Sequence, residues 1–266
     1  MQNLLTQVIE ITRQAGEAIL ETYGAPEEFE IEDKDDAGYV SPLTKADKAS
    51  HEVITQELKA ISDYPVISEE GSGDYKQEGT FWLVDPLDGT KEFIGRNGEF
   101  TVNIGLIKDG EPVLGVVYQP AGNVLYAADE DGAFKITPAG KAGLKPAGKP
   151  AEPPRVVVSR NHKGKELEKI LAKIGRHTAV DVGSSLKFCL LAEDKAQVYP
   201  RFVPTYLWDT AAADAILRRT GGEIRGLDGN LLAYEPDKNI KNPLFIATAK
   251  GNGELYERIM RAAERK

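Results

Sequence analysis

The amino-acid sequence predicts a layered fold of the α/β (α+β) class that is built from two halves. In the first half, apolar residues spaced by three and four predict two amphipathic helices, and β-rich segments joined by Asp-Gly turns follow them. In the second half, predicted strands alternate with predicted helices, which is typical of an α/β unit. The segment 138–154 is rich in Pro, Gly, Ala and Lys and indicates a linker or an exposed loop. The predicted halves are residues 1–145 and residues 146–266.

The helices of the first half have recognisable ends. Apolar residues within 4–23 predict a helix that ends near Gly24 and Pro26. A second helix is predicted over 45–61, with Thr44 as its N-cap.

The β-rich part of the first half carries strong turn signals. Asp109-Gly110 and Asp131-Gly132 each stand between two β-rich runs, a pattern that predicts β-hairpins. Residues 24–43 are acidic and indicate a loop or a weak strand. The predicted strands are residues 65–68, 81–84, 101–108, 112–119, 123–128 and 132–137.

The second half is predicted as alternating elements. Ser184 or Ser185 is the expected cap of its second helix, and Gly221 and Gly222 end its third. The predicted strands are residues 155–159, 178–182, 197–202 and 244–248, and the predicted helices are residues 165–174, 186–193, 209–220 and 253–263.

Composition and charge exclude several classes of protein. The chain has 266 residues, of which 41% are hydrophobic, and this excludes a disordered chain. The single cysteine, Cys189, excludes an intramolecular disulfide framework, and its apolar neighbours predict a buried helix residue. The net charge of −9, from 33 basic and 42 acidic residues, argues against a nucleic-acid partner.

The sequence also contains no run near the ~20 apolar residues that a transmembrane helix needs. Its N-terminus, MQNLLTQVIEITRQ, lacks the basic and apolar regions of a signal peptide. We therefore expect a cytoplasmic location, and peripheral attachment to the inner membrane is left open.

Acidic residues lie at the edges of the predicted elements, where α/β proteins place ligand-binding groups. They are Asp47 near the start of a helix, Glu69 and Glu70 after a strand, Asp85 and Asp88 at the end of another strand, and Asp209 at the opening of a helix. Several carboxylates together can hold hard cations such as Mg²⁺, and two such ions can clamp a phosphoryl group.

The run Asp85-Pro-Leu-Asp-Gly-Thr90 is the most specific of these signals. Its proline has no N–H and a fixed φ, so the turn can aim the Asp85 carboxylate, the Leu87 carbonyl and the Asp88 carboxylate at one point. Gly89 allows close backbone approach, and the N–H groups of Gly89 and Thr90 can cradle a phosphate.

Two motifs together resemble the signatures of the inositol monophosphatase superfamily. They are Trp82-Leu-Val-Asp-Pro-Leu-Asp-Gly-Thr90 and Leu207-Trp-Asp-Thr-Ala-Ala212, and the similarity continues through Ser68-Glu-Glu70 and Pro42-Leu-Thr-Lys-Ala-Asp47. Residues 90–104, 183–188 and 199–202 resemble the bacterial 3′(2′),5′-bisphosphate nucleotidase (CysQ-type) branch.

The resemblance implies a fold, a reaction and a cofactor. The fold is an αβαβα sandwich of the inositol monophosphatase/fructose-1,6-bisphosphatase type, with the active site between the two halves. The reaction is removal of the 3′-phosphate from adenosine 3′,5′-bisphosphate, a small nucleotide, by attack of a metal-activated water. The cofactor is Mg²⁺, as two or three ions, and lithium sensitivity and a role in sulfur assimilation are expected with it.

The resemblance also implies the roles of individual residues. The first Mg²⁺ would be held by Glu69, Asp85 and the Leu87 carbonyl, and the second by Asp85, Asp88 and Asp209, with Glu70 binding through water or holding a weaker third ion. Catalytic roles fall to Thr90, which Asp47 polarises so that it orients the attacking water, and to Glu69, which helps to accept the water's proton.

The residues that recognise the nucleotide are carried over from the same branch. Lys187 and Arg201 would pair with the distal 5′-phosphate, and Gly183-Ser184, at the expected start of a helix, would hold a phosphate or ribose oxygen. The branch commonly has Ser-Arg-Ser-His where this chain has Ser159-Arg-Asn-His162, so Asn161 departs from the pattern. The full expected substrate-binding set is Glu69, Leu87, Asp88, Gly89, Thr90, Ser159, His162, Gly183, Ser184, Lys187, Arg201 and Asp209.

Three alternatives stay open on the sequence alone. An inositol or sugar monophosphatase would use the same metal-binding residues. An aspartyl-phosphate phosphatase would need the pattern Asp-x-Asp-x-Thr, whereas Asp85 and Asp88 are three residues apart. A non-catalytic nucleotide or metal sensor would retain the fold without the reaction.

Overall fold

The computed structural model describes residues 2–25, 29, 31–36, 39–71, 75, 77–160 and 165–264. These residues form seven α-helices and fourteen strands in three sheets. The helices are α1 (Gln2–Gly24), α2 (Lys45–Ile61), α3 (Thr90–Ile94), α4 (Lys165–Ile174), α5 (Leu186–Ala192), α6 (Ala211–Arg219) and α7 (Gly253–Glu264). The strands are β1 (Glu32–Asp36), β2 (Tyr39–Leu43), β3 (Val66–Ser68), β4 (Thr80–Asp88), β5 (Thr101–Lys108), β6 (Glu111–Gln119), β7 (Val124–Asp129), β8 (Gly132–Thr137), β9 (Gly140–Gly143), β10 (Arg155–Ser159), β11 (Thr178–Val182), β12 (Val198–Arg201), β13 (Glu223–Gly226) and β14 (Phe245–Thr248).

Two large sheets divide the chain between them. The first has the order β3-β4-β5-β6-β7-β8-β9, with β3 parallel to β4 and each later pair antiparallel. The second has the order β11-β10-β12-β14-β13, with β10 parallel to both of its neighbours and β14 antiparallel to both of its own. We call the elements from α1 to β9 the first half and those from β10 to α7 the second half; the exact division between residues 145 and 146 stays a prediction.

Three hydrophobic clusters hold five layers of helices and sheets together. Helices α1 and α2 cover one face of the first sheet, where Val8 and Ile54 pack with Trp82 and Val84. The opposite face of that sheet shares a cluster with α5, α6 and the inner face of the second sheet. Helices α4 and α7 cover the outer face of the second sheet, in a cluster that includes Ile259. The layers follow the order αβαβα, so the predicted sandwich is confirmed.

Two glycines bring α6 directly onto the first sheet. A Cβ atom at Gly105 would lie 3.0 Å from the Ala212 backbone nitrogen, and one at Gly115 would overlap the Ala212 carbonyl oxygen. Because neither glycine carries a side chain, the helix backbone lies against β5 and β6. The turn that precedes α6 is thereby brought beside β4 and β5 at the middle of the molecule.

Most predicted elements form, and the differences are local. The Asp109-Gly110 hairpin is confirmed, with both residues at positive φ, and so is the N-cap position of Thr44. Residues 24–43, predicted as a loop or weak strand, contain the hairpin β1–β2, and the predicted linker contains β9. No helix in the described ranges is long and apolar enough to cross a membrane.

Candidate active site between the two halves

Strand β4 bulges where it leaves the sheet. Asp85 pairs with Asn103 of β5, whereas Asp88 pairs only two residues earlier on β5, so three steps along β4 match two along its neighbour. Pro86 has no N–H to donate, and its carbonyl oxygen accepts a 2.7 Å hydrogen bond from Ser50 Oγ in α2. The bulge keeps Asp88 close enough to Asp85 for its charge to raise the pKa of the Asp85 carboxyl.

Three carboxylates from separate elements meet at this bulge. Glu69, Asp85 and Asp209 each offer one oxygen atom, and the three atoms lie within 4.8 Å of one another. Burial raises the pKa of the Asp85 carboxyl well above its ordinary value, and the charges of Glu69, Asp88 and Asp209 raise it further. Because hard divalent cations take oxygen ligands and offset such repulsion, the residues present fit Mg²⁺.

Asp209 lies in a 3₁₀ turn, Leu207–Asp209, rather than in the helix that the sequence predicted to begin there. The Tyr206 backbone N–H donates to Asp209 Oδ2 at 2.8 Å, which fixes the carboxylate. Burial and then the charge of Asp88 raise the pKa of Asp209 to about 7, and the Tyr206 hydrogen bond opposes the shift.

Asp88 is held from both halves. Ser185 Oγ donates to Asp88 Oδ2 at 2.8 Å, and Asn103 Nδ2 donates to the same oxygen at 3.3 Å. Ser185 Oγ also lies 3.0 Å from the Asp209 carbonyl oxygen and accepts a 2.9 Å hydrogen bond from Asn103 Nδ2. Ser185 therefore links two of the expected metal ligands across the boundary between the halves.

Asp47 connects α2 to the start of α3. Its Oδ2 accepts hydrogen bonds from the Thr44 N–H at 2.8 Å and from Thr44 Oγ1 at 2.5 Å. Thr90 Oγ1 lies 3.3 Å from both Asp47 Oδ1 and the Leu87 carbonyl oxygen. Burial raises the pKa of Asp47 to about 6, the Thr44 hydrogen bonds lower it, and the charge of Glu70 raises it further. The predicted Asp47–Thr90 pairing is thus present.

The two predicted cations of the second half lie near these carboxylates. Lys187 is only 8% exposed, and burial lowers the pKa of its ammonium group to about 8. The charge of Asp88 opposes that shift, and the charge of Arg201 adds to it. Arg201 is half-buried, and its Nη2 lies 3.4 Å from the Pro204 carbonyl oxygen. Lys187 thus places a buried positive charge within electrostatic reach of Asp88 and Asp209.

The two halves touch at Gly89. This residue has a φ of 90°, and a Cβ atom there would lie 3.3 Å from Ser184 Cβ and 3.3 Å from the Glu99 carbonyl oxygen. Gly183 and Ser184 do not begin a helix as predicted: Ser184 has a φ of 45°, Ser185 is the N-cap, and α5 follows. The Gly183 N–H already donates to Glu99 Oε2 at 2.8 Å, so a phosphate would have to displace that carboxylate to reach it.

The remaining predicted contacts lie at the end of β10. Ser159 is its last residue and is buried. His162 and Asn161 lie outside the described residues. The contact of His162 with the substrate therefore stays a prediction.

Sequence reasoning missed three polar residues here. Ser185 was expected only as a helix cap, and no role was predicted for Glu92 or Glu99, which lie within the segment 90–104. Glu92 is 6% exposed, and burial raises the pKa of its carboxyl, with the charge of Asp88 adding to the shift. Gly183 was the one signal in the sequence for a close contact here. A Cβ atom at this position would lie 2.6 Å from Glu92 Cγ, so only glycine leaves room for the Glu92 side chain.

A five-layer sandwich with a cluster of carboxylates at a bulged strand end defines the class of the protein. The chain belongs to the inositol monophosphatase family, whose model matches residues 1–266.

Particular relatives are similar over nearly the whole chain. The 3′(2′),5′-bisphosphate nucleotidase CysQ of Escherichia coli (strain K12) is 45% identical over 246 residues, which are 91% of this chain and 98% of that protein. The protein of the same name from Salmonella typhimurium is 46% identical, over 92% of this chain and 99% of that protein. The crystal structure of CysQ from Bacteroides thetaiotaomicron matches with a TM-score of 0.82 and 40% identity, covering 94% of this chain and 98% of that one.

Proposed function

We propose that the chain is a magnesium-dependent 3′(2′),5′-bisphosphate nucleotidase that hydrolyses adenosine 3′,5′-bisphosphate to AMP and phosphate. One observation carries the proposal: the carboxylates Glu69, Asp85 and Asp209 meet in one cluster, and Asp209 lies close enough to the buried Lys187 for the charge of each to shift the pKa of the other. Such a site offers a metal-assisted centre for one phosphate and a fixed positive charge for a second. The printed names of the similar CysQ proteins agree with this chemistry.

The donor set supports a site for more than one Mg²⁺ ion. When bound, Mg²⁺ supplies positive charge that offsets the charge of the phosphate and lowers the pKa of a bound water. We assign one ion to Glu69, Asp85 and the Leu87 carbonyl, the second to Asp85, Asp88 and Asp209, and a weaker third site or a water-mediated contact to Glu70.

The chain's own residues orient the attack. Thr90 and Asp47 orient the attacking water, because Thr90 Oγ1 lies within reach of Asp47 Oδ1. Glu69 accepts the proton that the water loses. A bond forms between the water oxygen and phosphorus, and the bond from phosphorus to ribose O3′ breaks. The departing O3′ takes up a proton from solvent, to which Glu69 returns the proton that it accepted.

Recognition of the second phosphate falls to the second half. We assign the 5′-phosphate to Lys187 and Arg201, and a ribose or phosphate oxygen to Ser184 or Ser159. The charges of Lys187 and Arg201 both lower the pKa of Asp209, which supports their placement close to the acidic centre. This assignment explains why a bisphosphate would bind better than AMP.

A panel of phosphate esters tests the proposal. Adenosine 3′,5′-bisphosphate, AMP, inositol 1-phosphate and a sugar phosphate are each assayed with Mg²⁺, and the products are separated by chromatography. We expect the bisphosphate to react fastest and AMP to accumulate with negligible further hydrolysis. Adenosine 3′-phosphate as the main product, or faster hydrolysis of inositol 1-phosphate, would overturn it.

Lithium sensitivity belongs to the same proposal. Li⁺ has a radius close to that of Mg²⁺ but half its charge, so it can replace one ion and retain the product. We expect inhibition by millimolar Li⁺ at limiting Mg²⁺, and unchanged activity under those conditions would contradict it. The cytoplasmic location and the role in sulfur assimilation stay predictions.

A further inference from the structure

A single carboxylate of the first half accepts three hydrogen bonds from the second half. Glu99, in the connection between α3 and β5, accepts from Arg160 Nη2 at 2.8 Å, from Arg160 Nε at 3.0 Å and from the Gly183 N–H at 2.8 Å. Arg160 Nη2 also donates to the Asp181 carbonyl oxygen at 3.2 Å. Arg160 follows β10 and Gly183 follows β11, so Glu99 joins the ends of two neighbouring parallel strands to the first half.

The segment fixed by Glu99 leads directly into the site. Gly183 is followed by Ser184, whose Cβ would lie 3.3 Å from a Cβ atom at Gly89, and then by Ser185, which bonds to Asp88. Two residues further along α5 stands the buried Lys187. The position of Lys187 relative to the carboxylates therefore depends on how this segment is attached to the first half.

We propose that Glu99 is a positioning residue that sets the separation between the carboxylate centre and Lys187, and so makes the enzyme selective for substrates with two phosphates. The inference rests on the proposed function. A substrate with two phosphates must contact both halves at once, whereas a simple monoester needs only the carboxylate centre. A shift of the Gly183–Lys187 segment would therefore weaken binding of the first kind of substrate more than binding of the second.

The carboxylate centre depends less on this segment, because most of its hydrogen bonds come from elsewhere. Asp88 keeps its hydrogen bond from Asn103, and Asp47 keeps those from Thr44, all within the first half. Loss of the Glu99 contacts should therefore affect hydrolysis of a monoester much less than hydrolysis of the bisphosphate.

The test compares two substrates in variants of Glu99. For Glu99→Ala we expect KM for adenosine 3′,5′-bisphosphate to rise about tenfold, equivalent to about 1.4 kcal/mol. We expect kcat for that substrate, and kcat/KM for p-nitrophenyl phosphate, to stay within about twofold. Glu99→Gln retains an oxygen for the Gly183 N–H but loses the paired contact with Arg160, so it should fall between Glu99→Ala and the unchanged protein.

A matched ion pair provides the control. Glu223 and Arg225 form a comparable two-contact pair inside β13, with distances of 2.8 Å and 2.8 Å, at the edge of the second sheet. Glu223→Ala should change neither KM nor kcat for either substrate. If Glu99→Ala fails to fold, Arg160→Ala removes two of the three contacts and should show the same split in smaller size.

The outcomes separate the two hypotheses. Equal losses for both substrates, or an unchanged KM for the bisphosphate, would overturn the role of Glu99. If the unchanged protein hydrolyses the monoester but not the bisphosphate, the proposed function fails, and the selectivity role of Glu99 fails with it.

Discussion

The two halves of the molecule fix their site residues in different ways. In the first half, Asp85 lies on the bulged end of an inner strand, and Asp47 accepts both of its Thr44 hydrogen bonds from within α2 and its cap. In the second half, Lys187 lies on a seven-residue helix, and Glu99 of the first half holds the segment before it. Asp85 and Asp47 are thus fixed largely within the first half, whereas the proposed recognition side takes part of its position from the opposite half.

Burial shifts the pKa values of the carboxylates and of Lys187 in opposite directions. It raises the pKa of Asp85 and Asp209, and it lowers the pKa of Lys187 to about 8. In each case burial disfavours the charged form. A cation would stabilise the charged carboxylates and an anion would stabilise the charged Lys187. Under the proposed function, the metal and the second phosphate would therefore each offset the cost of burial on one side of the site.

The largest expected effect is on the carboxylate side. Asp85→Asn should lower kcat by about 10³-fold or more, because it removes a charge from both proposed metal positions and with it several kcal/mol of charge stabilisation. Asp88→Asn should also lose most of the activity, but less, since Asp88 serves one position. Steady-state assays with saturating Mg²⁺ measure both.

The fully exposed Asp228 provides the control for that substitution. Asp228→Asn should leave kcat unchanged. Undiminished turnover in Asp85→Asn, or full activity in excess EDTA, would show that the carboxylates do not act through a metal.

Stability should depend on pH in a direction set by the same carboxylates. The pKa of Asp209 rises from 3.8 to about 7 on folding, so the metal-free folded chain binds more protons than the unfolded chain between those values. Its free energy of unfolding should therefore fall as pH rises through this window. Each kcal/mol lost should lower Tm by about 2–4 °C.

Mg²⁺ should counteract that loss, because it binds the charged carboxylates of the folded state. Thermal melts with and without Mg²⁺ should show a larger gain in Tm at pH 8 than at pH 5. An equal gain in Tm at both pH values would show that the raised pKa values do not arise from the groups that bind Mg²⁺.

Much of the fold was predictable because its signals are local. Asp-Gly turns and alternating apolar runs specify the first sheet, and the two residues of the Asp109-Gly110 turn adopt the positive φ that such turns require. The hairpin β1–β2 was not predicted, since its first strand, EDKDD, lacks the apolar alternation of a buried strand. The close packing of α6 on Gly115 could not be predicted either, because Ala212, which Gly115 contacts, is distant in sequence.

The site shows the same division. Asp85, Asp88 and Thr90 were predicted as site residues because they lie in one motif of six consecutive residues. Glu99 was missed because its partners lie 61 and 84 residues further along the chain, and neither spacing leaves a pattern in one sequence.

Lys187 tests the recognition side by itself. Lys187→Ala removes a charge-assisted hydrogen bond worth about 1.5–3 kcal/mol, so kcat/KM for the bisphosphate should fall about 12- to 150-fold. Turnover of a simple monophosphate should hardly change. Lys141→Ala, on the exposed strand β9, is the matched control. Equal losses for both substrates would place Lys187 in the hydrolytic centre instead.

The smallest expected effect concerns Ser185, which touches both sides. Ser185→Ala removes a hydroxyl that bonds to Asp88 Oδ2 at 2.8 Å, but Asn103 Nδ2 still donates to that oxygen. The loss should amount to one ordinary hydrogen bond, about 0.5–1.5 kcal/mol, or about two- to twelvefold in kcat/KM. Both substrates should suffer alike, because the hydroxyl acts on a metal ligand and not on the second phosphate.

The Mg²⁺ dependence distinguishes this role from general destabilisation. Asp88 without its serine donor is a less fixed ligand, so half-maximal activity should require more Mg²⁺ in Ser185→Ala. Ser62 is the control, since its Oγ accepts a 2.9 Å hydrogen bond from Trp82 Nε1 away from the carboxylates. Ser62→Ala should lower Tm and leave the Mg²⁺ requirement unchanged. If Ser185→Ala behaves in the same way, the contact between the halves at Asp88 contributes to stability alone, and Glu99 remains the contact through which the first half governs recognition.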